Sequence, residues 1–129
     1  MIGIERTQSS EPTTIATVRR EPAPVDLVHL ARQTFGSAEL EREVLRLFVR
    51  QGDLLVHQIA AAATPAARAD LAHRLKGSAR AIGAMRVGLI AEAVEGATAP
   101  AEIASLVADL GRAVADVERF VAGLLAPAA

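Results

Sequence analysis

The stretch His73-Arg74-Leu75-Lys76-Gly77-Ser78-Ala79-Arg80-Ala81-Ile82-Gly83-Ala84 divides into two unlike faces when wound as a helix at about 100° per residue. Leu71, Leu75, Ala79 and Ile82 recur at spacings of four, four and three and form an apolar stripe. His73 stands two residues from Leu71 and so points the other way, and Lys76, Gly77 and Arg80 follow it at three, four and seven residues on its own face. The helix therefore presents an imidazole to solvent between cations and one residue without a side chain. A glycine inside an exposed helix costs roughly 1 kcal/mol relative to alanine. Close approach of another molecule to His73 is one reason for such a residue to stand there.

The pattern resembles the histidine-containing phosphotransfer (HPt) domain, whose signature runs His-x-Leu-Lys-Gly-Ser-Ser/Ala and then Gly-Ala. The matching residues are His73, Leu75, Lys76, Gly77, Ser78, Ala79, Gly83 and Ala84. Ala79 stands where many members carry a second serine. The span from about Val25 to Leu125 has the size and helical layout that such a domain needs.

At 129 residues the chain is long enough for one packed core. Its net charge of -1 and lack of a basic tract argue against nucleic acid as the main partner. It has no cysteine, which excludes disulfides and thiolate metal sites. With three Phe and no Tyr or Trp, the core falls to Leu, Val, Ile and Ala, a composition suited to close-packed helices. No apolar run reaches the ~18 residues of a bilayer span, and no basic start followed by an apolar segment marks a signal peptide. The expectation is a cytoplasmic monomer with no membrane contact.

Working outward from the central stretch, Thr64-Pro65 is a start signal: an N-cap with proline at the first helical position. Upstream, Ser37 caps a long helix reaching about Ala62, with Glu39 and Glu41 in its first turn. Val44, Phe48, Leu55 and Ile59 define its core face, widened by Leu40, Leu45 and Leu47, and Gly52 marks a packing contact. Before it, Val25 to Phe35 reads as a short lid helix stopped at Gly36, with Leu27, Leu30 and Ala31 at helical spacing. Residues 1–24 mix polar residues with Pro12, Pro22 and Pro24 and read as a flexible tail, in which Ile15 and Val18 are apolar residues able to rest on the bundle.

Downstream, Gly83 marks a break, and a helix of about Ala84 to Val94 buries Val87, Ile90 and Val94. Gly96 ends it. Thr98, Pro100 and Glu102 start the last helix, where Val107, Leu110, Val114, Val117, Val121 and Leu124 form a bundle seam. One lid helix and four longer helices with short connections make an all-α, antiparallel four-helix bundle over residues 25–126.

A neutral imidazole is a competent nucleophile near neutral pH, and transfer of a phosphoryl group is largely a matter of positioning and electrostatics. The resemblance implies that His73 accepts a phosphoryl group from the aspartate of a response-regulator receiver domain and passes it to another. The chain is then a phosphotransfer intermediate rather than an autonomous kinase, since it shows no Gly-rich nucleotide loop. It is expected to bind no cofactor or metal, the Mg²⁺ belonging to the partner receiver, and a hybrid histidine kinase is a further candidate partner. Lys76 is the candidate for phosphoryl stabilisation and Ser78 for a supporting hydrogen bond. Ala69, Ala72, Gly77, Arg80 and Ala81 are the expected partner contacts. A lone exposed histidine is usually an ordinary surface residue; here the company of Lys76, Gly77, Ser78 and Gly83 argues otherwise. His29 and His57 lie outside any such group and read as structural or exposed. Two rival readings remain: a docking module of the same fold without chemistry, and a helical adaptor that oligomerises through its Ala-rich surface.

Overall fold

A computed structural model describes residues 23–127. The first 22 positions of the expected tail, with Ile15 and Val18, lie outside the described residues. Five helices follow in order: α1 (Leu27–Gln33), α2 (Ala38–Ala61), α3 (Pro65–Ile82), α4 (Met85–Gly96) and α5 (Pro100–Leu125). The four long helices close a ring in which α2 and α4 each pack on both α3 and α5, and α1 lies across the end of α3. This is the all-α bundle with a lid helix.

Helix α1 begins where the Asp26 carboxylate accepts the amides of Val28 and His29, satisfying donors that a first turn leaves free. It is shorter than its apolar spacing predicts. Thr34 rather than Gly36 caps it, and both Phe35 (φ 55) and Gly36 (φ 76) are left-handed. The chain needs two such residues, so the stop falls earlier than the glycine.

In α2, Ser37 caps the Leu40 amide at 3.1 Å. The buried stripe runs Leu45, Phe48, Gly52, Leu55, Ile59, at alternating spacings of three and four. Gly52 belongs to it because a Cβ there would already touch the Phe48 ring and Val114 at 3.4 Å. The stripe turns Leu40 and Leu47 to solvent and leaves Val44 half-buried, against the expectation that Leu40 and Leu47 widen the core face.

Thr64 caps α3 through the Ala67 amide at 3.1 Å, with Pro65 in the first turn. Leu75, Ala79 and Ile82 are buried as expected; Ala72 joins them, and Leu71 is only half-buried. Helix α4 buries Val87, Gly88, Ala91 and Val94, and Ile90 is half-buried. Helix α5 buries Leu110, Ala113, Val114, Val117 and Val121. Its last turn packs through Leu125 while Leu124 faces solvent, because the spacing of four from Val121 continues the seam. Thr98 does not cap α5. The N-cap is Ala99, without a side-chain hydrogen bond.

The link that fixes the frame is Gly83. It ends α3 in the left-handed region at φ 82. Its amide bonds back to Arg80 O at 3.3 Å and the next amide, of Ala84, to Ala79 O at 2.8 Å, the paired bonds of a Schellman cap. Its carbonyl accepts the Asp26 amide at 2.9 Å, and a Cβ on Gly83 would stand 2.8 Å from Asp26 O. No other residue fits both the dihedral and the gap. Gly83→Ala is expected to lower stability by about 2–3 kcal/mol from left-handed strain and backbone collision. In hydrogen exchange the α1 amides should lose protection first. Unchanged thermal unfolding with α1 still protected would contradict this account.

Candidate functional site

His73 sits midway along α3 with its side chain 66% exposed. Its Nδ1 lies 2.9 Å from Oε2 of Glu95, in the last turn of α4. The other oxygen of the same carboxylate, Oε1, is 2.9 Å from Nζ of Lys76. One carboxylate on α4 thus joins the imidazole and the ammonium on α3. The Oε1 atom is buried, and the Lys76 ammonium is its partner.

This arrangement sets charge and tautomer together. The Lys76 ammonium, hydrogen-bonded to Glu95, holds its carboxyl below the usual carboxylate range; burial opposes that shift and the His73 hydrogen bond adds to it. An ionised carboxylate only accepts. His73 Nδ1 must therefore carry the proton, which leaves Nε2 of the neutral ring with a free lone pair. Because Nδ1 is turned toward α4, the ring nitrogen available for chemistry is Nε2.

Lys76 is not a freely projecting cation: its side chain is only 15% exposed and is tied to Glu95. Arg80, a turn further on, pairs through Nη2 with Glu92 Oε1 at 3.2 Å, and both side chains are about half exposed. The Arg80 backbone carbonyl accepts a hydrogen bond from His29 Nε2 at 2.7 Å, which pins α1 to the end of α3 and gives His29 its structural role. His57 is exposed and bonds the Asp53 carbonyl of its own helix.

Of the other expected site residues, Gly77 and Ala81 are exposed on the His73 face and Ala69 is half-buried at its edge. Gly77 has open space around it: a Cβ there would meet nothing within 4 Å. Ser78 is half-buried; two residues after Lys76, it lies about 200° around the helix from it, on the flank away from Glu95. Ala72 requires a correction. It is fully buried because it continues the stripe of Leu75 and Ala79 at spacings of three and four, so it packs in the core and touches no partner.

Glu95 went unread in the sequence because it lies 22 residues from His73, beyond any helical spacing rule. A signal existed nonetheless. Gly88, Glu92 and Glu95 recur at four and three on one flank of α4, and a Cβ on Gly88 would touch Arg80 Cγ at 3.4 Å, so that flank faces α3. Among the described residues no group of three or more His, Cys, Asp or Glu is placed to hold a metal ion, and no helix is long and apolar enough to cross a membrane.

The depressed Glu95 pKa carries a sign for stability. The unfolded chain takes up this proton more readily than the folded one, so the contribution is present above the ordinary value of 4.5 and is lost as pH falls through the folded value. Glu95→Gln should flatten that part of the acid limb of a denaturation series and leave Nδ1–H no longer enforced in ¹⁵N spectra of the ring. An unaltered acid limb together with an unaltered tautomer would show the network to be absent in solution.

No curated protein and no solved structure matches the chain. A family model does: the Hpt domain model matches residues 43–122, from the second turn of α2 to the last turn of α5, and so contains His73, Lys76, Gly77 and Glu95. The match covers more than half of the sequence and the whole of the α3–α4 pair that builds the site. The chain therefore belongs to the Hpt domain family, whose name denotes histidine phosphotransfer in phosphorelays.

Proposed function

We propose that His73 is the phosphoacceptor of a phosphorelay intermediate, charged by the phospho-aspartate of one receiver domain and discharged onto the aspartate of another. The observation that carries this reading is the Nδ1–Glu95 hydrogen bond on an exposed ring, which leaves Nε2 as a nucleophile facing solvent. In the transfer the Nε2 lone pair forms a bond to phosphorus as the bond from phosphorus to the aspartyl oxygen breaks. The aspartate leaves as a carboxylate, and Nδ1 keeps its proton.

The ring gains positive charge as the new bond forms, and the Glu95 carboxylate beside Nδ1 stabilises that charge. The same interaction acts in the return direction, because a phosphorylated ring that keeps Nδ1–H is a good leaving group. The exchange is accordingly reversible. Lys76, one turn from His73, keeps Glu95 ionised and in place. The Mg²⁺ that assists the step belongs to the receiver, and the phosphoryl group comes from that partner rather than from ATP.

A panel of phosphorylated receiver domains supplies the direct test. Label should pass to this chain, be acid-labile and base-stable as a phosphohistidine is, and be absent from folded His73→Gln. ATP alone should transfer nothing. Labelling that survives in His73→Gln would move the acceptor elsewhere. A folded chain that binds receivers yet never takes label would be the docking module, and one that binds none while its mass rises with concentration would be the oligomerising adaptor.

Gly77 gives a second test. Its helical glycine is unsupported by any contact within the chain, so Gly77→Ala should raise stability by about 0.5–1 kcal/mol. Gly77→Leu should fold equally well and slow transfer through collision with the receiver. Wild-type transfer by Gly77→Leu would remove close approach as the reason for the glycine.

A further inference from the structure

A groove of about 700 Å³ lies away from His73, at the Gly83 end of the bundle, walled by Leu27 and Val28 of α1, Met85 and Leu89 of α4, and Val117 and Phe120 of α5. Single exposed apolar residues are ordinary. Here Leu27, Val28, Met85 and Leu89 are all exposed, Val28 and Leu89 by more than 60%, and they converge on one concavity. Such a gathering marks a contact surface.

Two observations point to what covers it. Ala23 and Pro24 form part of its wall, so the 22 residues that precede them are attached at the groove itself. Those residues are mostly polar, but nearest the groove they run Ile15-Ala16-Thr17-Val18-Arg19-Arg20-Glu21-Pro22, two apolar side chains three apart followed by a basic pair. The charged groups on the groove wall are Asp26, Asp116 and Arg86, one net negative charge against the one net positive charge of Arg19, Arg20 and Glu21. Val18 lies five positions before Ala23, a reach of up to about 17 Å, and a tether this short holds the segment at an effective concentration on the order of millimolar. An apolar contact whose dissociation constant lies below that concentration is then populated.

We infer that the N-terminal segment of this chain is the occupant of the groove, with Ile15 and Val18 against Leu89, Met85 and Val28, and Arg19 and Arg20 toward Asp26 and Asp116. This inference is independent of the phosphotransfer reading, since no residue of the His73 network takes part.

The absence of cysteine makes the test clean. A nitroxide on Thr14→Cys in the full chain should broaden the methyl signals of Val28, Met85 and Leu89 and spare those of Ile59 and Ile103 at the far end of the bundle. The effect should vanish when Ile15→Asp and Val18→Asp are added. It should also be absent in a mixture of spin-labelled chain with isotope-labelled, nitroxide-free chain. Groove methyls broadened no more than Ile59 and Ile103 would overturn the proposal. So would broadening that persists in the mixture, which would make a second copy the occupant, or broadening that survives the double aspartate variant.

Discussion

The turn at Gly83 is the constraint on which the site depends. Only two residues separate Ile82 at the end of α3 from Met85 at the start of α4, and the left-handed cap reverses the chain within that space. Two helices joined so tightly must run antiparallel in a fixed register, with residues counted back from the turn facing residues counted forward. Arg80 meets Gly88 and Glu92, and His73 meets Glu95. A Cβ at Gly88 would stand in ordinary contact with the Arg80 side chain at 3.4 Å, which shows how near the two helices lie there. A slip of one residue at the turn would rotate Glu95 by about 100° away from α3, and the imidazole would lose the partner that fixes its tautomer. The same glycine receives Asp26, so the lid helix is seated by the element that sets the site.

A carboxylate beside the proposed acceptor of an anionic group looks at first like the wrong charge in the wrong place. Its position resolves the matter. Glu95 lies on the Nδ1 side of the ring and is shared with Lys76, so the pair adds little net charge to the field the phosphoryl group meets at Nε2. What remains of the carboxylate acts at short range, on the ring proton, where charge develops during transfer. The Lys76 ammonium has two effects through one contact: it keeps the carboxyl ionised against the cost of burial, and it holds both oxygens in place. The reading of Lys76 as a free cation, natural from its spacing to His73, becomes a reading of Lys76 as half of a neutralised pair.

The parts legible in the sequence are those governed by local rules. Ser37 and Thr64 cap the helices they begin, and Gly83 breaks the chain where its signature places it, because caps and turns are decided within a few residues. The bundle follows from apolar spacing summed along long helices. The misplacements arise where two stripes compete. On α2, Val44 and Leu47 offer a seam as plausible as Leu45 with Gly52, and only the packing of Phe48 against Val114 across Gly52 selects between them. Ala72 shows the same effect on α3: a small residue beside a histidine reads as open surface until the core stripe is seen to pass through it. Thr98 fails as a cap because α5 starts with Ala99 at its N-cap position. Glu95 was illegible for a different reason, being a contact between helices that requires the register of the hairpin.

Gly77 separates what the fold requires from what the function requires. A Cβ would collide with the Asp26 backbone at Gly83 and would only touch neighbouring side chains at Gly52 and Gly88, so each of these glycines at least lies against the fold. Gly77 stands one turn from His73 in open space, and its helical penalty is not offset by any contact the chain makes. Gly123 in α5 stands in equally open space, so it is the place of Gly77 beside the exposed His73, rather than openness alone, that points to something outside the molecule. The bareness of the surface there, with Ala81 one turn beyond, suits a partner that must bring a reacting atom to bonding distance of Nε2. Under the proposed function, the destabilised helix turn and the polarised ring serve the same event, one by clearing the approach and the other by aiming the nucleophile.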